Sequence, residues 1–144
     1  TVDERCQTSI PRIYAAGDCT NHPNPLLNRR LRLESVPNAM EQARVCAANM
    51  VGKDKTYSSL PWFWSDQYEL KLQMVGFSSD GDSEFVRGDM DANQFSVFHV
   101  KENKVMAADS VNSPKDFMIC KQLIGKEVDL DKLLDESIEL KSML

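Results

Sequence analysis

The sequence predicts an α+β fold, in which a C-terminal antiparallel meander sheet with a covering helix follows a strand, a loop and another helix. Three observations lead to this prediction. Apolar and polar residues alternate over residues 68–74, which is typical of a half-buried strand. Short turns rich in Gly, Asp and Asn separate the strand-like segments that follow. Before residue 53, one apolar run and one well-capped helix indicate a part of different architecture.

The composition argues against several classes of protein. The 144 residues are 42% hydrophobic and 27% charged, which is typical of a globular chain. A net charge of −5 disfavours binding to nucleic acid, and no apolar stretch is long enough to cross a membrane. The four cysteines form no CxxC pair and only two histidines are present, so we expect no metal site. Cysteines without a signal peptide favour reduced thiols in a cytoplasmic protein.

The N-terminal part is expected to contain two extended segments. Residues 12–16 form a short apolar run between Pro11 and Gly17, which predicts a strand buried on both faces. Residues 28–34 alternate less regularly, and we expect extended chain there as well.

A helix follows these segments. Ser35 or Val36 is expected to cap it, Pro37 lies in its first turn, where a missing N–H costs nothing, and Gly52 ends it. A face of small residues and methionines is expected to be buried: Ala39, Met40, Ala43, Ala47 and Met50. Residues 53–61 have the composition of a linker.

The C-terminal part is expected to hold the sheet and its helix. Strands are predicted at residues 68–74, 84–87, 94–101 and 105–111. A helix then begins at an N-cap, Ser113, with Pro114 in its first turn, and stops at Gly125. Its buried stripe is predicted to be Phe117, Cys120 and Ile124. The tail from residue 128 is expected to form one short helix over residues 131–134 and to pack loosely.

Asp18 is the first candidate for ligand binding. It directly follows the predicted buried strand, and doubly wound sheets bind ligands at the carboxyl ends of their strands. Its carboxylate, next to Gly17, could accept a hydrogen bond from a sugar or ribityl hydroxyl. An ordinary turn aspartate explains the same pattern, so the residues alone leave both interpretations open.

The beginning of the predicted helix is the second candidate. The free N–H groups near Val36, with about half a positive charge from the helix dipole, favour an anion or an electron-rich ring. A capped helix without a ligand would have the same sequence. The position therefore indicates what could bind there without requiring it.

An aromatic run and a basic group are the remaining candidates. Trp62, Phe63 and Trp64 are consecutive and are flanked by polar residues. They either plug the space between the two parts or bring an indole to a π-system or a protein partner. Four arginines stand out in an acidic chain, as a solvated group or as a surface for an acidic redox protein: Arg29, Arg30, Arg32 and Arg44.

Three segments occur in a fixed order along the chain: TSIPRIYAAGD at residues 8–18, ESVPNAMEQA at residues 34–43 and PWFWSDQY at residues 61–68. Together they resemble the C-terminal portion of the FAD-dependent ferredoxin and rubredoxin reductases, the putidaredoxin-reductase-like flavoproteins of the pyridine nucleotide-disulfide oxidoreductase superfamily. The first segment is shared by many flavoproteins, whereas the third narrows the resemblance to this group.

The resemblance implies a flavoprotein that takes hydride from NADH or NADPH onto FAD and passes electrons to a ferredoxin or a rubredoxin. Asp18 would bind the ribityl chain of FAD, the backbone at Val36 would face the flavin ring, and Trp64 would lie beside the isoalloxazine. Trp62, Trp64 and Arg44 would contact the acidic electron acceptor. No residue of this chain is expected to be catalytic, and the absence of a redox CxxxxC motif fits a family that requires no dithiol relay.

The resemblance covers about a third of such an enzyme, because both GxGxxG loops that would hold FAD and NAD are absent. The start at Thr1 then predicts a segment whose missing partners are the N-terminal FAD and NAD domains. We expect residues 1–56 to end the FAD-binding domain and residues 57–144 to form an interface or dimerisation domain. The chain alone is expected to be inactive.

Two alternatives stay open. A non-catalytic interaction module would form a homodimer or a swapped dimer through open strand edges. A segment of an apoptosis-inducing-factor-like flavoprotein would share the same fold.

Overall fold

The computed structural model describes residues 1–144 and divides the chain into two units, Thr1–Pro61 and Trp62–Leu144. The predicted domain boundary between residues 56 and 57 stays a prediction. No helix in either unit has the length and apolar character needed to span a bilayer.

The first unit contains a two-stranded antiparallel sheet. Strand β1, His22–Asn24, pairs with strand β2, Arg29–Leu31, so that His22 faces Leu31 and Asn24 faces Arg29. The expected extended chain at residues 28–34 is confirmed in its β2 portion, whereas β1 was not predicted.

The predicted strand at residues 12–16 is wrong. Tyr14 makes only an isolated bridge to Gln7, and Ile13 is exposed. Arg12 adopts a positive φ of 70°, and the Thr8 N–H donates to the Ile13 carbonyl, so the run begins inside a tight turn. A strand buried on both faces belongs to a sheet with other elements packed on each face. This segment has only the isolated bridge at Tyr14, and Ile13 is open to solvent.

Helix α1 spans Val36–Met50 and begins as predicted. The Asn38 N–H donates to the Ser35 hydroxyl at 3.3 Å, and Pro37 lies in the first turn. The end is also as predicted, because Gly52 has a φ of 81° and donates its N–H to the Asn49 carbonyl at 3.0 Å.

The predicted buried face of α1 is wrong. Met40 and Met50 are 51% and 61% exposed, whereas the buried positions include two carboxamides, Asn38 and Gln42. The neighbours that α1 meets present hydrogen-bonding groups, and a buried polar group is tolerated where it finds such partners. Hydrophobicity alone therefore selected the wrong side of the helix.

Two buried cysteines contribute to the small core of the first unit, in which Cys6 and Cys46 pack with Val45 and Tyr57. Burial, followed by the neighbouring Cys46, raises the pKa of the Cys6 thiol to about 12. Burial also raises the pKa of Cys46. Thiols with raised pKa values are poor nucleophiles. All four cysteines are free in the structure.

The second unit is a five-stranded antiparallel sheet, which confirms the predicted α+β class. The strands are β3, Trp62–Gln67; β4, Leu70–Gly76; β5, Ser83–Asp89; β6, Gln94–Lys101; and β7, Lys104–Val111. Their order in the sheet is β3-β4-β7-β6-β5. Only β5, β6 and β7 form a meander, because β4 pairs with β7. Strand β3 was not predicted, and it places the aromatic run on one edge of the sheet.

Helix α2, Pro114–Leu123, lies against β4 and β7 as the predicted covering helix. Ser113 occupies the N-cap position, although its hydroxyl donates to the Val111 carbonyl rather than capping the helix. The buried residues are Phe117, Cys120 and Leu123. Leu123 replaces the predicted Ile124, because the helix has already ended at Ile124, whose ψ of 126° is not helical.

The predicted loose packing of the tail is wrong. Helix α3, Leu130–Leu134, and the residues that follow it are held against the sheet by Arg87 of β5, and a 3-10 turn at Leu140–Met143 contacts α2. Arg87 is 8% exposed and its guanidinium donates to the carbonyls of Leu133, Asp135 and Ile138 at 2.7–2.8 Å. The planar guanidinium supplies several donors in fixed directions, which suits three carbonyls at once.

Replacing Arg87 with Met is expected to lower the unfolding free energy of the second unit by about 2–4 kcal/mol, because three carbonyls lose a charged donor. Hydrogen exchange in residues 130–140 should accelerate with it. The control is Lys104→Met, which removes an exposed ion pair with Glu127 and should cost less than about 1 kcal/mol. Equal costs in urea unfolding would contradict the anchoring role of Arg87.

Candidate functional site

Asp18 lies in a tight turn formed by residues 17–20. The Thr20 N–H donates to the Gly17 carbonyl at 2.9 Å, which leaves Asp18 and Cys19 as the two central, exposed residues. Gly17 has a φ of 83°, a conformation that a residue with a side chain rarely adopts. The turn therefore directs the Asp18 carboxylate toward solvent, where it can accept hydrogen bonds.

Gln42 of α1 holds this turn in place. Its buried Oε1 accepts a hydrogen bond from the Gly17 N–H at 2.7 Å and lies 2.8 Å from the Thr20 hydroxyl. A Cβ at Gly17 would lie 3.3 Å from the Cβ of Ala39, so the turn packs directly on the helix. Asp18 is thus fixed relative to the first two turns of α1.

The amino end of α1 presents one amide to a ligand. Pro37 has no N–H, and the Asn38 N–H is satisfied by Ser35, which leaves the Val36 amide without an acceptor inside the helix. Val36 is exposed. Ala39, three residues further on, touches the turn that carries Asp18, so an acceptor and a donor are held in one unit.

This arrangement fits the part of FAD that the resemblance implies. A ribityl chain offers hydroxyl donors, for which the Asp18 carboxylate is an acceptor. The pyrimidine part of a flavin ring offers acceptors and takes up negative charge on reduction, for which the Val36 amide and the positive helix end are suited. The glycine at residue 17 keeps the turn close to the helix, where a side chain would intrude.

Buried polar side chains continue along the chain from this turn. Thr20, His22 and Asn24 alternate along the chain and are all buried. The Tyr57 hydroxyl donates to Asn38 Oδ1 at 3.0 Å, and the His22 ring meets the Tyr57 ring edge-on at 5.0 Å. Both ring nitrogens of His22 and Nε2 of Gln42 lack a protein partner. Burial, followed by the charge of Arg30, lowers the pKa of His22.

The aromatic run forms a small cluster in the second unit. The rings of Trp62 and Trp64 are 5.4 Å apart at an interplanar angle of 31°, and Trp62 lies 5.9 Å from Phe117 of α2. The Lys121 ammonium lies 4.4 Å from the centroid of Trp62. Trp64 is 43% exposed, so its indole is available to a π-system or a partner.

The arginines of the predicted basic group differ in what they contact. Arg30 is structural, since its guanidinium donates to the Asn21 side chain and carbonyl and to the Val2 carbonyl. Arg32 pairs with Glu34 and lies 3.5 Å from the Asp18 carbonyl oxygen. Arg44 is exposed on α1. Arg44 therefore stays a candidate for contact with a protein partner.

Sequence reasoning missed three supporting residues: Gln42, Thr20 and Lys121. One signal could have found the first two. Every second position from Thr20 to Asn24 is polar, which places these side chains on one face of an extended segment. Asn38 and Gln42 are four residues apart and therefore lie on one face of the helix, so the two polar faces could have been matched to each other. Lys121 had no such signal, because a lysine on a helix is ordinarily solvated.

Two family models match the chain. The model described as "Reductase C-terminal" matches residues 62–144, and the model described as "Pyridine nucleotide-disulphide oxidoreductase" matches residues 1–43. The first match covers the whole second unit.

Known relatives and structures agree with these matches. The chain is 45% identical to putidaredoxin reductase of Pseudomonas putida and 43% identical to the ferredoxin reductase subunit of a 5,5'-dehydrodivanillate O-demethylase from Sphingobium, with 99% of this chain aligned in each case. It covers 34% and 35% of their lengths, so it spans about a third of the curated relatives that it matches.

Among solved structures, a ferredoxin reductase for the CYP199A2 system from Rhodopseudomonas palustris superposes with a TM-score of 0.90 at 38% identity. That alignment covers 98% of this chain and 35% of the other. The reductase in a covalent putidaredoxin reductase–putidaredoxin complex superposes with a TM-score of 0.89 at 46% identity. That alignment covers 99% of this chain and 34% of the other.

Substituting Ala at Gly17 should cost more stability than substituting Ala at Gly52. Both residues have a φ near 80°, so each change costs about 1–2 kcal/mol in backbone strain. Only Gly17 has a neighbour, the Cβ of Ala39, within 4 Å of the new Cβ, which adds about 1 kcal/mol of overpacking. Urea unfolding of the two variants gives the difference directly. Equal costs would show that the turn is not held against α1.

The stability of the first unit should fall on acidification because of His22. Its pKa in the folded state lies below the ordinary 6.5, so the unfolded chain takes up the proton first. The resulting stability is present above pH 6.5 and is lost as the pH drops below it, by at most about 1.4 kcal/mol per pH unit. Urea unfolding of the parent and of His22→Phe from about pH 5 to about pH 8 isolates this slope. A pH-independent difference between the two would contradict it.

Proposed function

The chain belongs to the Reductase C-terminal family, and we propose on that basis that it is the C-terminal segment of a flavoprotein that moves electrons from NAD(P)H through FAD to a ferredoxin or rubredoxin. Residues 1–56 would be the end of the FAD-binding domain and residues 57–144 the interface domain. Support comes from relatives that align over 97–99% of this chain: two are named as ferredoxin reductases, and the others as putidaredoxin reductase and rhodocoxin reductase.

One observation carries the FAD part of the proposal. Gln42 holds the Asp18 turn on the same helix whose amino end presents the Val36 amide. Asp18 would accept from the hydroxyls of the ribityl chain, and the Val36 amide would donate to the flavin ring. FAD supplies the two-electron to one-electron conversion when it is bound.

The helix end would also tune the reduction potential. A partial positive charge next to the flavin ring favours its reduced anion by roughly 0.5–1 kcal/mol. For a two-electron couple this corresponds to about 10–20 mV. The contribution of α1 would be adjustment of the potential rather than creation of the site.

The partner part of the proposal depends on Trp62, Trp64 and Arg44. Trp64 would lie beside the isoalloxazine, and all three residues would contact an acidic iron–sulfur protein or rubredoxin. Exposed indoles and arginines are typical of interface hot spots. A complex of putidaredoxin reductase with putidaredoxin is known for a relative that is 46% identical. Pairing of Arg44 with an acidic acceptor would make association faster at low salt.

A second candidate function is a non-catalytic interaction module. It is favoured by the exposed face of α1, on which Met40 and Met50 remain largely uncovered together with Ala43 and Ala47. Small residues allow another surface to approach the helix closely. A colourless dimer of the isolated chain favours this candidate, whereas retained flavin favours the reductase segment.

The proposal is tested with a chimera in which this chain replaces the corresponding C-terminal third of putidaredoxin reductase. We expect bound FAD and NADH-dependent reduction of putidaredoxin, and no NADH oxidation by the isolated chain. Asp18→Ala should weaken FAD binding about 10- to 100-fold, since it removes a charged acceptor. Trp64→Ala should keep FAD and slow reduction of putidaredoxin.

Asp131→Ala is the matched control for the aspartate change, because Asp131 is exposed on α3. It should leave FAD affinity unchanged. Unaltered FAD binding in the Asp18 variant would refute the assignment of that residue, and turnover by the isolated chain with added FAD would refute its expected inactivity.

A further inference from the structure

Lys121 makes an unusual contact for a lysine on a helix surface. Its ammonium lies 4.4 Å from the ring centroid of Trp62 and 5.8 Å from that of Phe117, so its neighbours are two aromatic rings. Cations within about 6 Å of a ring centroid are attracted by the negative charge of the ring face, most strongly for tryptophan. Lys121 is only partly exposed, and partial desolvation strengthens this attraction.

The contact continues from Trp62 to Trp64. These rings lie 5.4 Å apart, within the range of favourable aromatic pairs. Strand β3 is an edge strand that pairs only with β4, so its side chains have a neighbouring strand on one side only. Trp62 therefore supplies the contact that can restrict the exposed indole of Trp64.

The two helix residues restrict Trp62 in turn. Phe117 is fully buried and meets the Trp62 ring at 5.9 Å with an interplanar angle of 49°, which supports the ring from the core. Lys121, one helical turn after Phe117, contacts the same ring through its charge. Packing against Phe117 alone would leave the Trp62 ring free to shift. The Lys121 charge favours the one orientation in which the ring face is turned toward the ammonium.

We propose that Lys121 is a positioning residue for Trp64, which it orders through the ring of Trp62. Its charge keeps Trp62 in the orientation against which Trp64 stacks, so the exposed indole is held in place before any ligand or partner arrives. The importance of this order for electron transfer rests on the proposed function, in which Trp64 lies beside the flavin.

The test uses the chain itself, whose two tryptophans are Trp62 and Trp64. Each indole N–H gives one resonance in a proton–nitrogen NMR spectrum, and a Trp62→Phe variant assigns the signal of Trp64. Lys121→Met removes the charge and keeps most of the side-chain volume. We expect the Trp64 signal to shift toward that of a free indole, with about a two- to fivefold loss of the ordered population.

Two variants separate charge from structure. Lys121→Arg should keep the Trp64 signal near its original position, because a guanidinium also binds aromatic faces. Lys115→Met makes the same substitution at an exposed position of the same helix and should leave the signal unchanged. An unshifted Trp64 signal in Lys121→Met, or an equal shift in Lys115→Met, would overturn the proposal.

The flavin-loaded chimera separates this proposal from the proposed function. In the chimera, Lys121→Met should raise flavin fluorescence, because a less ordered Trp64 quenches the flavin less. Lys121→Arg should keep the flavin fluorescence near that of the parent. If Trp64→Phe itself leaves flavin fluorescence unchanged, Trp64 is not beside the flavin and that part of the proposed function is wrong. The NMR result still decides whether Lys121 orders Trp64.

Discussion

The carboxamide of Gln42 is fully buried, and its oxygen accepts a hydrogen bond from the Gly17 amide while lying against the Thr20 hydroxyl. This contact ties a surface turn to the middle of α1, across 25 residues of sequence. A buried polar group that loses its partner is costly, so the turn has little freedom to move away. The exposed carboxylate of Asp18 thereby gains a fixed position without being buried itself, which is what binding of a flexible polyol requires.

In the second unit, the pairing of β4 with β7 is the contact that links segments distant in the sequence. It joins the β3–β4 hairpin to the β5–β6–β7 meander and so creates one sheet with two different edges. On the β5 side the tail is anchored by Arg87, whereas β3 at the other edge carries the paired indoles. Uncovered edges and exposed aromatic residues are where proteins meet partners. The sheet order thus places the anchored tail and the paired indoles at opposite edges of this unit.

Charge is divided unevenly between the units. Residues 1–61 contain eight basic and six acidic side chains, whereas residues 62–144 contain nine basic and sixteen acidic ones. The first unit therefore carries a net charge of +2 and the second −7, which the overall value of −5 conceals. An acidic protein would be attracted to the first unit, where Arg44 is exposed, and repelled by most of the second.

Local patterns were sufficient for the beginning of α1, the strands β6 and β7 and the start of α2, because a cap, an alternation or an N-terminal proline acts over a few residues. They were also sufficient to name Asp18, Val36 and Trp64 as candidates. They could not identify the buried side of α1, the turn that replaces a strand at residues 12–16, or the anchored tail. Those outcomes depend on partners far along the chain, such as Gln42 for Gly17 and Leu133 for Arg87, 46 residues away. Whether a polar group can be buried is decided by the partner it meets in the folded chain, and no short stretch of sequence contains that information.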